Sequence, residues 1–277
     1  MPRKNADHIF PPLPKGFNSP FYYSALYSFF LYYQVDGARV EPHLKGTGLK
    51  AALMDGKALV NIDFQRYLSS GNNYLEQTVE IEFNIVSYPA SREPDVPTMA
   101  LKDFLAGQEQ TKTIGNYRLH VACDDKIAVQ AGRELYGEAK FYTTFTYTVP
   151  DLNFPETTTW QFTCQDPVNK KQAIFSVDAD ISMLPAQTSN MSPVVDFSML
   201  KVGKELRLDQ SWRNLLGAFQ TFYTDPRSTV SLEYGQSKNR MREDMQKIIG
   251  SSPCVAIQLF QSVPVCIEGR GFFVNPR

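Results

Sequence analysis

From residue 173 to 181, Ala173, Phe175, Val177, Ala179 and Ile181 fall on one alternating face, and Ser176, Asp178 and Asp180 fall on the other. That period of two is the pattern of a strand with one side on a core and one side in water. Looser versions of it predict strands near 22–33, 50–65, 76–88, 116–122, 140–149, 157–165, 171–182 and 254–274, most of them divided by Pro, Gly, Asn or Asp clusters. Aromatic residues occupy both faces from Tyr22 to Tyr33, which predicts a strand buried on two sides. Helical spacing is clear once: Ser237 is placed to cap, Met241, Met245, Ile248 and Ile249 share a stripe, and Gly250 ends it. Thr98 to Leu105 suggests a helical turn inside a long excursion over 89–115, and Pro11, Pro12, Pro14 and Pro20 predict an extended strap over 1–20.

Composition agrees with a strand-rich fold, since 19 Phe and 14 Tyr accompany abundant Thr and Val. The expected architecture is a β-dominated α+β domain with an antiparallel, barrel-like sheet and few helices, spanning 1–277 as a single unit. With 28 basic against 29 acidic residues and no block of like charge, nucleic-acid and anionic-membrane binding are disfavoured. Cys123, Cys164, Cys254 and Cys266 are too dispersed for a zinc or redox motif, and His8, His43 and His120 are too scattered for a metal cluster. No metal or cofactor is expected. The N-terminus does not read as a signal peptide, so a cytoplasmic protein is the expectation.

The chemistry concentrates in Gly132-Arg133-Glu134-Leu135-Tyr136-Gly137-Glu138-Ala139-Lys140, a turn-like stretch delivering one lysine to the start of a strand. A lysine freed of its proton by desolvation or a neighbouring cation attacks carbonyl carbons, and the resulting imine draws electrons from the adjacent bond. Alternation places Lys140, Tyr142, Thr144, Thr146 and Thr148 on the more polar face of that strand, which on its own favours a solvated lysine.

Ala128-Val129-Gln130-Ala131-Gly132-Arg133-Glu134-Leu135 with Lys140 five residues on resembles the active-site segment of the acetoacetate decarboxylase superfamily. Tyr74-Leu75-Glu76 resembles the Tyr-x-Glu of that family, and Pro-Lys-Gly-Phe at 14–17 is similar to its Pro-rich N-terminal segment. The resemblance implies that Lys140 forms the imine and that Glu76 positions substrate or exchanges protons. Tyr74, Phe141 and Arg66 are the candidate substrate contacts, while Gly132, Arg133 and Glu134 hold the loop that presents the lysine. A homo-oligomer acting on a small keto acid or related carbonyl compound is implied by the same analogy.

Two departures shape the functional expectation. The family's second lysine is replaced by Phe141, which leaves desolvation to lower the amine's pKa. The family's arginine on the first strand aligns with Ala25, leaving Arg66 as the candidate for substrate carboxylate recognition. The expected activity is a Schiff-base lyase decarboxylating a β-keto acid. The alternatives are aldolase or dehydratase chemistry on a 2-oxo substrate, and a non-catalytic barrel that binds a small molecule.

Overall fold

The computed structural model describes residues 11, 13–70, 75–150, 157–225 and 229–262. In chain order these begin with β1 (Tyr23–Val35), α1 (Gly37–Leu44), β2 (Leu49–Ala51), β3 (Leu53–Met54), β4 (Lys57–Ser70) and β5 (Thr78–Pro89). Next come α2 (Leu101–Leu105), β6 (Gly115–Cys123), α3 (Lys126–Leu135), β7 (Lys140–Tyr142), β8 (Phe145–Thr148), β9 (Thr159–Gln165) and β10 (Ala173–Asp180). The remainder is β11 (Ala186–Ser189), β12 (Val194–Val202), β13 (Glu205–Arg213), β14 (Phe219–Tyr223), β15 (Thr229–Tyr234), α4 (Arg240–Ile248) and β16 (Cys254–Gln261).

A twelve-stranded sheet runs β11-β14-β16-β1-β4-β5-β6-β12-β13, with β2, β3 and β7 pairing onto β5, β4 and β6. A four-stranded sheet, β15-β10-β9-β8, packs over it. The β-dominated α+β class expected from the sequence is the one observed. Two features differ from the expected barrel: the large sheet is not closed, and β6 pairs in parallel with both β7 and β12, so the sheet is mixed.

Every central strand of the large sheet is buried on both sides, but the two sides differ in kind. One face is apolar: Phe29 and Leu31 of β1, Ile62 and Phe64 of β4 and Ile81 and Phe83 of β5 meet Trp160, Phe162 and Phe175 of the small sheet and Met241 and Met245 of α4. The opposite face of β4 and β5 carries Asn61, Asp63, Gln65, Glu80, Glu82 and Asn84, all buried. Strand alternation therefore separates an ordinary core from a buried polar face.

Several local expectations change. The expected strand over 140–149 crosses between sheets at Thr143, whose N–H donates to the Cys123 carbonyl (2.9 Å) and whose hydroxyl donates to the Gln165 carbonyl (2.6 Å). That crossing breaks the period-two reading, because Lys140 is buried while Tyr142 is 40% exposed. The segment read as turn-like before Lys140 is the end of helix α3 and its cap. Asn239, not Ser237, caps α4 by accepting from the Met241 N–H (2.8 Å), and Ser237 is engaged with Asp166 and the Asn239 N–H. Strands β11 to β15 appear where the sequence predicted none. The excursion over 89–115 holds a 3-10 turn (Ala90–Asp95) and α2. The predicted last strand reaches Gln261, and its residues beyond 262 lie outside the described ones. No helix among the described residues is long and apolar enough to cross a membrane.

Trp160 joins the two sheets: it stacks on Phe29 at 4.4 Å between ring centroids, meets Phe64 edge-on at 6.5 Å and is 1% exposed. Trp160→Ala is expected to destabilise the fold by about 3–5 kcal/mol, read by urea denaturation.

Candidate active site

Lys140 reaches the polar face because α3 ends against it. Asp125 caps the helix by accepting from the Ala128 N–H (2.7 Å), and the buried side, Ala128, Ala131, Gly132 and Leu135, follows helical spacing. Gly132 sits where the helix touches the lysine: a Cβ there would lie 2.5 Å from Lys140 Cδ and 2.3 Å from Glu138 Oε2. Gly137 makes the following turn at φ +68°, close enough to β12 that a Cβ would lie 2.4 Å from Leu200 Cα. Beyond the turn, β7 lies parallel to β6 with Lys140 opposite Val121. Arg133 Nε donates to the Lys140 carbonyl at 2.6 Å and ties the strand back to the helix.

Lys140 is 6% exposed, and its Nζ lies 2.5 Å from Glu80 Oε2 and 3.2 Å from Glu138 Oε2. Tyr67 donates its hydroxyl to the same Glu80 oxygen at 3.1 Å. Behind this pair, Arg118 contacts Glu138, Asp196 (2.7 Å) and Glu82 (3.3 Å). Arg213 contacts Asp196 (2.9 Å), Asp63 (3.4 Å) and Glu82 (3.6 Å). Asn61, Asn84 and Asn116 extend the network along the strands.

Five carboxylates, Asp63, Glu80, Glu82, Glu138 and Asp196, thus face three cations, Lys140, Arg118 and Arg213. A buried cluster with excess negative charge retains protons on its least compensated members. Burial pushes Asp63 well above the usual carboxylate range, and the nearby Arg213 does not offset it. Burial also raises Glu80 despite Lys140. Glu82 is desolvated too, but Arg213 and Arg118 together hold it down at about 2.

Lys140 corrects the expectation that desolvation alone sets its pKa. Burial pushes the amine down, but Glu138 and Glu80 outweigh it and hold the ammonium above the ordinary lysine value. In this state the lysine is charged and paired.

The structure separates the sequence candidates. Lys140, Gly132 and Arg133 come together as described, whereas Glu134 is exposed and accepts from Gln130 (2.9 Å). Glu76 is exposed, and Glu80, four residues along, stands beside the lysine instead. Arg66 lies on the opposite face of β4, 5.9 Å from the Tyr147 ring centroid. Phe141 packs on the apolar core, as alternation next to Lys140 requires. Tyr74 lies outside the described residues. Glu82, Arg118, Glu138, Asp196 and Arg213 were not anticipated. A run of charges at every second position of an otherwise apolar strand, Glu80 and Glu82 between Val79, Ile81 and Phe83, was the available signal for the first of them.

No protein-family model matches the sequence, and no curated protein matches it. Solved structures do match. The enduracididine biosynthesis enzyme MppR, complexed with the condensation product of pyruvate and imidazole 4-carboxaldehyde, aligns at TM-score 0.55 and 10% identity over 89% of this chain and 87% of its own. Acetoacetate decarboxylase from Legionella pneumophila aligns at TM-score 0.55 and 12% identity over 91% and 90%. An acetoacetate decarboxylase-like enzyme from Sphingomonas wittichii RW1 aligns at 0.51 and 12% over 85% and 88%.

The chain has the acetoacetate decarboxylase-like fold.

Within this fold, the charge cluster is a property of the present side chains, and its protonation pattern has consequences for stability. A carboxyl raised by folding, such as Asp63, opposes folding as pH rises above its unfolded value; one that is lowered, such as Glu82, contributes stability that is lost as pH falls below its unfolded value and is gone by about 2. Asp63→Asn, which imitates the protonated acid, is therefore expected to gain stability relative to the parent between pH 5 and pH 8. Glu82→Gln is expected to lose about 3 kcal/mol at pH 7, because Arg118 and Arg213 each lose one of their buried carboxylate partners. Urea denaturation at both pH values reads the two effects.

Proposed function

We propose that the chain is a Schiff-base-forming enzyme in which Lys140 supplies the amine and Glu80 is its proton partner. The observation that supports this reading most directly is the buried Nζ standing 2.5 Å from one carboxylate and 3.2 Å from a second. The resting ammonium passes a proton to Glu80, the freed amine attacks the substrate carbonyl carbon, and a carbon–nitrogen bond forms. Glu80 then returns its proton to the carbinolamine oxygen, water leaves, and a protonated imine remains. Burial equips Glu80 for both transfers by raising its pKa from the ordinary carboxylate range.

Among reactions open to that imine, the arrangement favours proton transfer at the carbon next to it. Glu138 and Glu80 are both placed to accept that proton, giving an enamine that adds to an aldehyde or expels a leaving group. Arg118 and Arg213 are each engaged with at least two carboxylates, so a substrate carboxylate would have to displace an internal partner. The substrate class is a 2-oxo compound or related ketone, in keeping with the pyruvate condensation product bound to MppR.

A second reading is decarboxylation of a β-keto acid, favoured by the Gly132-Arg133-Glu134 to Lys140 spacing and by the acetoacetate decarboxylase among the structural neighbours. There the carbon–carbon bond breaks, its electron pair enters the imine, carbon dioxide leaves, and Glu80, after taking a proton from solvent water, passes it to the enamine carbon.

Borohydride reduction with pyruvate or acetoacetate, followed by peptide mass spectrometry, is expected to place the adduct on Lys140 and to give none in Lys140→Ala; an unlabelled Lys140 with every carbonyl compound would favour a binding protein. Exchange of pyruvate methyl protons for deuterium, followed by NMR, is expected to exceed carbon dioxide release from acetoacetate, and the reverse order selects decarboxylation. Glu80→Gln is expected to slow adduct formation about 10²-fold or more. Removing one of the two carboxylates that raise the Lys140 pKa also moves the alkaline rise in adduct yield to lower pH.

A further inference from the structure

We infer that Phe21, Tyr23 and Tyr136 form the mouth of the Lys140 site and select carbonyl compounds that carry a flat, uncharged aromatic group. The inference rests on Lys140 being the imine former and adds a substrate class to it. A continuous set of rings leads outward from the lysine. Tyr67, 5% exposed, donates to the Glu80 oxygen that touches Nζ. Tyr23 meets Tyr67 edge-on, with centroids 5.0 Å apart and planes at 63°. Phe21 stacks near Tyr23 at 6.4 Å and 21° and leans on Tyr136 at 6.5 Å and 52°.

This set changes character along its length. Tyr67 is enclosed, whereas the Tyr23 residue is 42% exposed and Phe21 and Tyr136 are half-buried, so ring surface is available at the outer end. Tyr136 is the C-cap of α3, the helix that presents the lysine, four residues before Lys140. Burial of the hydroxyl end and the nearby Glu80 keep Tyr23 in its neutral form, and burial does the same for Tyr136. Both can donate a hydrogen bond inward while their rings meet a ligand. Rings held at these spacings offer edges and offset faces to a further ring. The excess of carboxylates behind them disfavours a second anionic group on the ligand.

The test compares 4-phenyl-2-butanone with 2-butanone in borohydride trapping at Lys140. The parent protein is expected to be modified roughly tenfold faster by the phenyl compound, the preference that one or two aromatic contacts supply. In Phe21→Leu/Tyr23→Leu that ratio is expected to fall to near one, with circular dichroism verifying the fold. Equal rates in the parent, or a ratio that survives both substitutions, would overturn the assignment. Saturation-transfer NMR without borohydride separates this from the imine itself. Saturation of the phenyl protons that is lost in the double variant supports the aromatic mouth even if no Lys140 adduct forms, an outcome that would instead count against the imine. No saturation of the phenyl protons in the parent overturns the mouth.

Discussion

The contact between Lys140 and Glu80 constrains everything around it, because neither group can be left alone in that position. An ammonium removed from water loses several kcal/mol of solvation, and a carboxylate at 2.5 Å recovers it only when the remaining lone pairs and protons find partners as well. Tyr67 supplies one such partner to Glu80, and Glu138 supplies a second to the lysine. Glu138 in turn needs Arg118, which engages Asp196 and Glu82, and these bring in Arg213 and Asp63. The polar face of the large sheet is thus one electrostatic unit, assembled from β4, β5, β6, β7, β12, β13 and the α3–β7 turn.

That unit is closed off by backbone features that carry no charge. Gly132 lets α3 approach the lysine stem and the Glu138 carboxylate, and Gly137 lets the chain turn against β12. Arg133 contributes through its Nε on the Lys140 carbonyl rather than through pairing with Glu134. The most conspicuous residues of the segment are therefore its supports, and the buried ion pairing belongs to the quieter Glu138 and Lys140 at its end.

How far this was legible in the sequence follows from where each interaction is encoded. Local periodicity revealed β1, β4, β5, β6, β9, β10 and α4, since each expresses its own buried face. Helix α3 is also written in the spacing of Ala128, Ala131, Gly132 and Leu135, although Gly132 and Gly137 make the stretch from Gly132 to Lys140 read as a turn. Strand β13 alternates Leu206, Leu208 and Trp212 with polar residues, yet Leu206 and Trp212 are 65% and 58% exposed, so this alternation does not mark a face of the core. It nevertheless brings Arg213 to the cluster. The partners of Lys140 were harder still, because Glu80, Arg118 and Asp196 stand far away in sequence and meet only when strands register side by side. Choosing Glu76 over Glu80 relied on a short motif, whereas the alternation of Glu80 and Glu82 with Val79, Ile81 and Phe83 already marked the polar face.

The same reasoning bears on why the chemistry should be sought in this cluster rather than in the fold. Neighbours at 10–12% identity share the sheet and its connections, which can be retained through wholesale replacement of side chains that keep the apolar face apolar. The opposite face is less forgiving. Substituting a guanidinium there, or a carboxylate that stays ionised such as Glu82, removes a partner from a buried opposite charge, so these members are energetically coupled. An amine held charged in such surroundings is not a nucleophile at rest. On the proposed reading it becomes one through the short path to Glu80, whose same oxygen accepts the Tyr67 hydroxyl. On that proposal, reactivity follows from the sharing of a proton between two partners, and the charge state of the lysine cannot be understood apart from the carboxylate that faces it.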